Sequence, residues 1–338
     1  MEAKRTPPCF LKEMHELSGN TPSGSETKAT AARLAVMSNF ALLVLKLAVG
    51  IAIGSVSVLS EAIHSGIDLL AALLALFAVS SSGKPPDEKH RYGHGKIENV
   101  SGVIEAALIF LAAVWIMVEA VRRLMTGASV QTPLWGLAVM SLSGLMNLFI
   151  SGTLMKTAKT TDSIALETDA WHLRTDVLTS FGVAVGMLLI WITGRSIFDP
   201  LLAIAVALLI IRASFGLTAK AFSPLLDTSL PPEEEALIRQ IIHNYGSQYV
   251  GFHELRTRKS GSDRYIDLHL VVPRYLNIAR SHELCDQIEQ AVGEHYPGVN
   301  ILIHVEPCRE GDECSTCPAR CESPPDNIRS TPLDKMRP

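Results

Sequence analysis

The sequence predicts an α-helical membrane protein with six transmembrane helices followed by a small cytoplasmic α+β domain of ferredoxin-like type. Of its 338 residues, 48% are hydrophobic and only 19% are charged. The apolar residues crowd into the first two thirds, in runs long enough to cross a bilayer, which takes about 20 residues. After Asp227 the pattern changes to short alternating strands and amphipathic helices. The formal net charge of −4 suggests no nucleic-acid partner.

Six apolar stretches are predicted to span the membrane, at about 31–53, 56–80, 97–124, 134–155, 164–192 and 197–217. Asp199-Pro200 begins the sixth, with proline near its tolerated first-turn position. Lysine and arginine concentrate in the N-terminal tail and in the second-to-third and fourth-to-fifth loops, so both termini are expected in the cytoplasm. Arg122 and Arg123 run against this bias.

Four domains are expected along the chain. Residues 1–29 form a polar cytoplasmic tail without the apolar core of a signal peptide, and residues 30–222 form the six-helix domain. Residues 228–307 read as helix, strand, strand, helix, strand, a small α+β layer fold. Residues 308–338 form a tail with the composition of a disordered segment.

Two histidine–aspartate pairs lie inside the apolar runs. His64 and Asp68 are four residues apart on the second span, and His172 and Asp176 repeat that spacing on the fifth. On a helix the spacing puts both side chains of a pair on one face, about 6 Å apart along the axis. Two imidazoles and two carboxylates form a four-coordinate set that suits Zn²⁺.

The charge of the two aspartates supports a functional interpretation. An ionised aspartate at mid-bilayer costs about 2.5–3.5 kcal/mol, which a bound cation or a proton would offset. The alternative is that each pair is a structural hydrogen bond between packed helices, which the duplication disfavours. Glu61 and Asp169, three residues before each histidine, are secondary acids on the approach to the site or interface residues.

A second cluster of ligand types lies in the loop after the second span. Asp87, His90 and His94 place three potential metal ligands within eight residues. The alternative is a solvated polar loop, since such residues are common on surfaces.

In the C-terminal domain the strand period of 2 separates apolar from polar positions. Ile266, Leu268 and Leu270 share one face, with Asp267 and His269 on the other. The last strand likewise carries its polar candidates on one side; these are His304 and Glu306. Exposed polar faces of a small sheet are the alternative to a metal site here.

Together these motifs resemble the cation diffusion facilitator family, most closely its bacterial zinc- and iron-efflux members, over about 31–307. Besides the two His-x-x-x-Asp pairs, the resemblance rests on Tyr92-Gly-His-Gly-Lys96, Asp199-Pro200 and Leu255-Arg-Thr-Arg258. It implies a homodimer in the cell inner membrane, surrounded by lipid, that exchanges a divalent cation for protons by alternating access. The sequence contains no phosphate loop or nucleophile elbow in the context an enzyme would need.

The resemblance also implies roles for further residues. It makes the loop cluster a second zinc site and implies that zinc binds between the two cytoplasmic domains, at His253, His269, His282, His304 and Glu306. The relatives carry aspartate where Glu306 stands, which lengthens this arm by one methylene. Lys96 and Asp227 are implied to form a charge interlock between membrane and cytoplasmic domains.

The identity of the ion and the mode of action stay open at this stage. His64, where some bacterial relatives have aspartate, favours Zn²⁺; Fe²⁺, Cd²⁺, Co²⁺ and Mn²⁺ are the alternatives. A metal binds neutral imidazole and ionised carboxylate, so binding expels protons, which histidine can exchange near neutral pH. A membrane metal sensor that does not transport is the rival from another class. The tail thiols Cys308, Cys314, Cys317 and Cys321 form either a zinc clip or a reduced, disordered segment.

Overall fold

The computed structural model describes residues 24–53, 56–126, 134–193 and 197–309. Most of the expected N-terminal tail, together with Cys314, Cys317 and Cys321, lies outside these ranges. The chain divides into two compact units, one ending at Phe222 and one beginning at Ser223.

The N-terminal unit consists of long helices at the positions predicted for the spans. They are α1 (Gly24–Ile53), α2 (Val56–Ser82), α3 (Lys96–Thr126), α4 (Leu134–Thr161), α5 (Ile164–Thr193) and α6 (Phe198–Phe222). α1 begins seven residues before the predicted apolar run, and α4 extends six residues beyond its run. Both extensions suit the helix dipole, because Glu26 lies in the first turn of α1 and Lys159 in the last turn of α4.

Four of the described helical segments are long and apolar enough to cross a membrane; they are Gly24–Ala52, Ala62–Ser82, Lys96–Thr126 and Pro200–Leu226. The other two long helices, α4 and α5, pack against each other, and α4 also contacts α1. α5 in addition packs against α2, α3 and α6. α5 is therefore the central helix of the unit.

Small residues bring these helices close together. One buried cluster is built largely from alanines of α1, α2 and α5, among them Ala35, Ala72 and Ala165. At Gly102 of α3 an added Cβ would lie 3.2 Å from the Cβ of Ala221 and 3.3 Å from Ile164. Glycine at this position thus permits the close approach of α3 to α5 and α6.

One buried ion pair ties several helix ends together. Lys28 Nζ of α1 donates to Glu98 Oε1 of α3 at 2.9 Å, and both residues are buried. Ser82 Oγ, at the end of α2, donates to the same oxygen at 2.8 Å, and Ser163 Oγ, before α5, donates to Oε2. Each carboxylate oxygen of Glu98 thus has a donor, as a buried charge requires.

The C-terminal unit has the predicted helix, strand, strand, helix, strand order, which confirms the fold class. After a short 3₁₀ turn (Ser223–Leu226) come α7 (Pro232–His243), β1 (Gly251–Ser260), β2 (Asp263–Val272), α8 (Ile278–His295) and β3 (Asn300–Pro307). The sheet order is β1-β2-β3, with β1 antiparallel and β3 parallel to β2.

The β1–β2 hairpin has a tight turn. Ser260 pairs with Asp263, so only two residues form the loop, and both strands reach it. Gly261 supplies the positive φ of 62° that such a two-residue turn needs. On the buried face, Leu268 and its neighbours on β2 pack with Ile242 of α7 and Ile288 of α8, which leaves the opposite face to the polar residues.

Candidate metal centres

The first cluster lies where α2 meets α5. His64 and Asp68 are one turn apart on α2, and His172 and Asp176 are one turn apart on α5, so each helix presents its pair on one face. Ligand atoms of His64, Asp68 and Asp176 lie within 4.8 Å of one another. His172 joins them through Asp68 Oδ1, which lies 3.2 Å from its Nε2.

The distances in this cluster are compatible with a tetrahedral ion. Two ligands that each bind Zn²⁺ at about 2.0–2.1 Å lie about 3.3–3.4 Å apart at the tetrahedral angle. The Nε2 of His64 is 3.7 Å from Asp176 Oδ1 and 3.9 Å from Asp68 Oδ1, slightly beyond that separation. The separation of His172 Nε2 from Asp68 Oδ1, 3.2 Å, is close to the tetrahedral value, so three of the ligand pairs are near the spacing that one ion requires.

Burial in the cluster is uneven. Asp68 and His172 are each 5% exposed, whereas the His64 side chain is 46% exposed. His172 Nδ1 and Asp176 Oδ2 are buried without a hydrogen-bond partner among the described residues. A buried polar atom without a partner is costly. A cation bound to Asp176 would supply the missing partner, and this would favour cation binding.

α1 supports the turn of α2 that contains Ser65 and Asp68. Asn39 Nδ2 donates to the backbone carbonyl of Asp68 at 3.3 Å, and Lys46 Nζ donates to Ser65 Oγ at 2.8 Å. Both side chains are almost fully buried. They fix the turn that contains the ligands, since α1 and α2 pack along their length.

The second cluster is the loop between α2 and α3. His90 Nδ1 lies 3.3 Å from Asp87 Oδ1, and His94 Nε2 lies 3.2 Å from Asp87 Oδ2. The side chain of Asp87 also accepts from the backbone N–H groups of Lys89 and His90, at 2.9 and 2.6 Å. The backbone hydrogen bond from His90 is the main reason that the pKa of Asp87 lies below its ordinary value. The carboxylate is therefore ionised and bridges both histidines.

The third cluster lies on the polar face of the C-terminal sheet. His253 is directly opposite His269 on β1 and β2, and His269 is beside His304 on β3. Glu306 Oε1 lies 2.9 Å from His269 Nδ1, and Oε2 lies 3.2 Å from His253 Nε2. A β-bulge at Glu254, which has a positive φ of 50°, follows His253. The side chain of Glu306 thus reaches both histidines.

Glu306 is the centre of this third cluster. Its pKa is lowered mainly by the hydrogen bond with His269 and further by His253. His304 Nε2 lies 3.7 Å from Glu306 Oε1, at the margin of the group. His282 is not brought to the cluster; on α8 its Nδ1 lies 3.0 Å from Asp286, and its side chain is 74% exposed. The polar face thus gathers four of the five predicted ligands.

Other predicted residues have more varied surroundings. Asp227 Oδ1 lies 3.5 Å from Arg258 Nη1 within the C-terminal unit, and Lys96 begins α3 in the other unit, so their interlock stays a prediction. Cys308 is half-buried, and its backbone N–H donates to the carbonyl of Val272 at 3.0 Å. The side chain of Glu61 lies outside the described part of the chain.

Sequence reasoning passed over one set of residues, the buried ionisable side chains of α1 and α3. Lys28, Glu98 and Glu105 are all buried. A signal for Glu105 was present, because an ionisable residue within an apolar span is functional by default. Lys28 and Glu98 lie near span ends, where charged residues are ordinary, so their pairing had no local signal.

Comparisons with known proteins identify the chain's family. Residues 32–226 match the cation efflux transmembrane domain, and residues 230–308 match the cytoplasmic domain of cation efflux proteins. The protein is an integral membrane transporter of the cation-efflux class. It belongs to the cation diffusion facilitator family, a family of transporters rather than enzymes.

Individual relatives agree with this assignment. An uncharacterized transporter from Synechocystis sp. is 35% identical over 305 residues, which cover 90% of this chain and 96% of the relative. The cation-efflux pump FieF of Yersinia pestis is 32% identical over 268 residues, 79% of this chain and 88% of that protein. Two solved structures of CzrB, one in a Zn form, are 35% and 37% identical. They cover 24% and 25% of this chain and 100% and 96% of their own, with TM-scores of 0.23 and 0.24.

Proposed function

We propose that this protein exports Zn²⁺ from the cytoplasm in exchange for protons by alternating access. The observation that carries the proposal is the cluster of His64, Asp68, His172 and Asp176 between two helices of the membrane unit. Two neutral imidazoles and two carboxylates would leave a bound divalent ion with no net charge, which offsets the cost of burying either partner alone.

Zinc is favoured by the donor set. Nitrogen and oxygen ligands in a tetrahedral arrangement suit Zn²⁺, which has no geometric preference from d-electrons. These ligands hold zinc more weakly than thiolates would, which suits a site that must release its ion. Fe²⁺, Cd²⁺, Co²⁺ and Mn²⁺ are the competing substrates, and His64 is the ligand expected to disfavour Cd²⁺ and Mn²⁺.

Proton exchange follows from the same ligands. The ion binds neutral imidazole and ionised carboxylate, so every binding event displaces the protons that these groups carried. His172 lies 3.2 Å from Asp68 and His64 lies 3.7 Å from Asp176, so protons and metal compete for the same atoms. Protons that arrive from the far side of the membrane can therefore displace the metal.

The remaining features belong to the assembly. We propose a homodimer in the inner membrane with both termini in the cytoplasm, consistent with the lysine and arginine bias of the loops. The loop cluster at Asp87 and the sheet cluster at Glu306 would each bind zinc in a structural or regulatory role. His282 is 74% exposed on α8 and would contribute to zinc bound between the two cytoplasmic domains of the dimer.

Flux measurements with purified protein test the proposal. The full chain is reconstituted in proteoliposomes under an imposed pH gradient, and uptake of Zn²⁺, Cd²⁺, Fe²⁺ and Mn²⁺ is followed. Zinc flux should track the gradient and vanish in Asp68→Ala and His172→Ala. Glu167→Gln is a matched control. Glu167 is also an acid of α5, but its carboxylate pairs with Lys220 Nζ at 2.6 Å and is not one of the four proposed ligands.

Each other outcome has a definite meaning. Flux that ignores the pH gradient would contradict antiport, and preferential flux of another ion would contradict the zinc assignment. Metal binding without flux of any ion would favour a membrane metal sensor.

A further inference from the structure

Two buried carboxylates of the membrane unit belong to none of the proposed metal-ligand groups. Glu105 of α3 and Asp169 of α5 are both 0% exposed. Asp169 lies three residues before His172 on α5. Glu105 lies one turn after Gly102 of α3, where α3 approaches α5 so closely that a Cβ added at Gly102 would lie 3.6 Å from Cγ2 of Thr168, the neighbour of Asp169. The two acids are therefore a buried pair next to the proposed metal ligands.

The hydrogen bonding of this pair is incomplete. Neither Asp169 oxygen has a hydrogen-bond partner among the described residues, and Glu105 Oε2 also lacks one. Glu105 Oε1 accepts from Ser101 Oγ at 3.1 Å, and the Thr168 hydroxyl also interacts with this carboxylate. No lysine or arginine contacts either acid within the described residues.

Glu98, on the same helix as Glu105, is a buried acid whose negative charge is balanced by a cation and by hydroxyl donors. Its oxygens are within hydrogen-bond distance of Lys28 Nζ and of the hydroxyls of Ser82 and Ser163. Such an acid can stay ionised at depth. Glu105 has hydroxyl donors on one oxygen and Asp169 has no donor, and neither has a lysine like Lys28 among the described residues, so two negative charges at their positions would be strongly unfavourable.

The surroundings offer little further compensation. The charged or titratable groups in range are His172 and Asp176 on α5 and Asp68 on α2. α6, which packs against both α3 and α5, contributes apolar side chains such as Ile210 and Leu217 to the cluster around Ala106. The acids thus sense mainly the charge of the metal-ligand cluster.

We propose that the buried acids Glu105 and Asp169 together bind one proton, held by one of the two carboxyls, that is released when the metal binds and taken up again when it leaves. This inference rests on the proposed antiport and adds a proton-carrying site to it. When a divalent ion enters the cluster, its positive charge favours ionisation of nearby carboxylates. One O–H bond then breaks and the proton passes to water on the side to which the site is open. When the metal leaves on the other side, one proton from that side restores the O–H bond, and no other bond changes.

The test counts protons. The full chain is purified in detergent, and Zn²⁺ binding is followed by calorimetry in buffers of different ionisation enthalpy, which gives the protons released per ion. A background with His90→Ala and His269→Ala limits binding to the transport cluster. In Asp169→Asn and in Glu105→Gln the number should fall by about one, because each variant removes one of two like-charged carboxylates, and with it the repulsion that makes the pair hold a proton, while the four proposed ligands remain. Glu167→Gln is the control on the same helix and should match the wild type.

A second readout covers the case of a variant that folds poorly. Infrared difference spectra of the wild-type protein, with and without Zn²⁺, should show a protonated carboxyl band that disappears on binding, and this band should be absent from whichever variant folds. Persistence of the wild-type proton number in both variants, or absence of a metal-sensitive carboxyl band in the wild type, would overturn the inference. Failure of the antiport proposal is a separate result, because wild-type zinc flux would then ignore the pH gradient.

Discussion

The substitution Asp68→Asn is the sharpest single test of the transport cluster. Asp68 is the proposed ligand that lies between the two histidines, with Oδ1 3.2 Å from His172 and 3.9 Å from His64. Asparagine keeps the size of the side chain and removes its charge. The hydrogen bond from Asn39 should survive, because it goes to the backbone carbonyl of residue 68.

The expected effect is a large loss of zinc affinity. Mutating a residue that merely orients a metal ligand costs about 10–100-fold in affinity, so loss of an anionic ligand should cost at least about 100-fold. That factor corresponds to about 2.7 kcal/mol of binding free energy. Zinc flux should fall in parallel, since the same site moves the ion.

The assay isolates this site from the other two clusters. Zinc binding is titrated in a background that carries His90→Ala and His269→Ala, with and without Asp68→Asn. The matched control is Glu167→Gln, which removes a carboxylate from α5 that pairs with Lys220. An affinity within about threefold of the background, less than about 0.7 kcal/mol, would refute the assignment of Asp68 as a ligand.

Three further predictions concern stability and reactivity. Glu98→Gln leaves Lys28 buried without its carboxylate and should cost about 3–5 kcal/mol, seen as a lower thermal transition of the detergent-solubilised protein, whereas adding Lys28→Met should recover part of the loss. In metal-free protein, the pKa of Glu306 is lowered by folding, so its ionised form stabilises the fold at pH values above its ordinary pKa of 4.5. This stabilisation is lost as the pH falls through the lower pKa of the folded state. The loss of stability in acid, measured by thermal unfolding, should therefore be smaller in Glu306→Gln. Burial raises the pKa of the Cys285 thiol, so maleimide should modify Cys285 more slowly than Cys308 in a mass-spectrometric time course, and equal rates would contradict its burial.

Local spacing explains what could be predicted of the fold and the site. The helix period fixes His64 relative to Asp68, and the strand period fixes His269 on the face opposite Leu268, so both relations follow from the sequence. Repetition of one motif on two spans suggested that those spans meet. The crossed contacts, His172 with Asp68 and His64 with Asp176, depend on how far α2 and α5 are rotated, which no local pattern specifies.

The buried acids mark the limit of such reasoning most clearly. Glu98, Glu105 and Asp169 are each an acid in a long helix, and the helix period can assign each of them to a face. Whether an acid on that face is stable as an anion depends on residues far away in the chain: Glu98 meets Lys28, 70 residues earlier, and Asp169 meets no donor in the described chain. Sequence therefore placed the exchangeable protons on the histidines, where the reference pKa is near neutral. The tertiary fold indicates a second place for a proton, at Glu105 and Asp169. Only the folded structure shows that these buried acids lack a cationic partner among the residues that it describes.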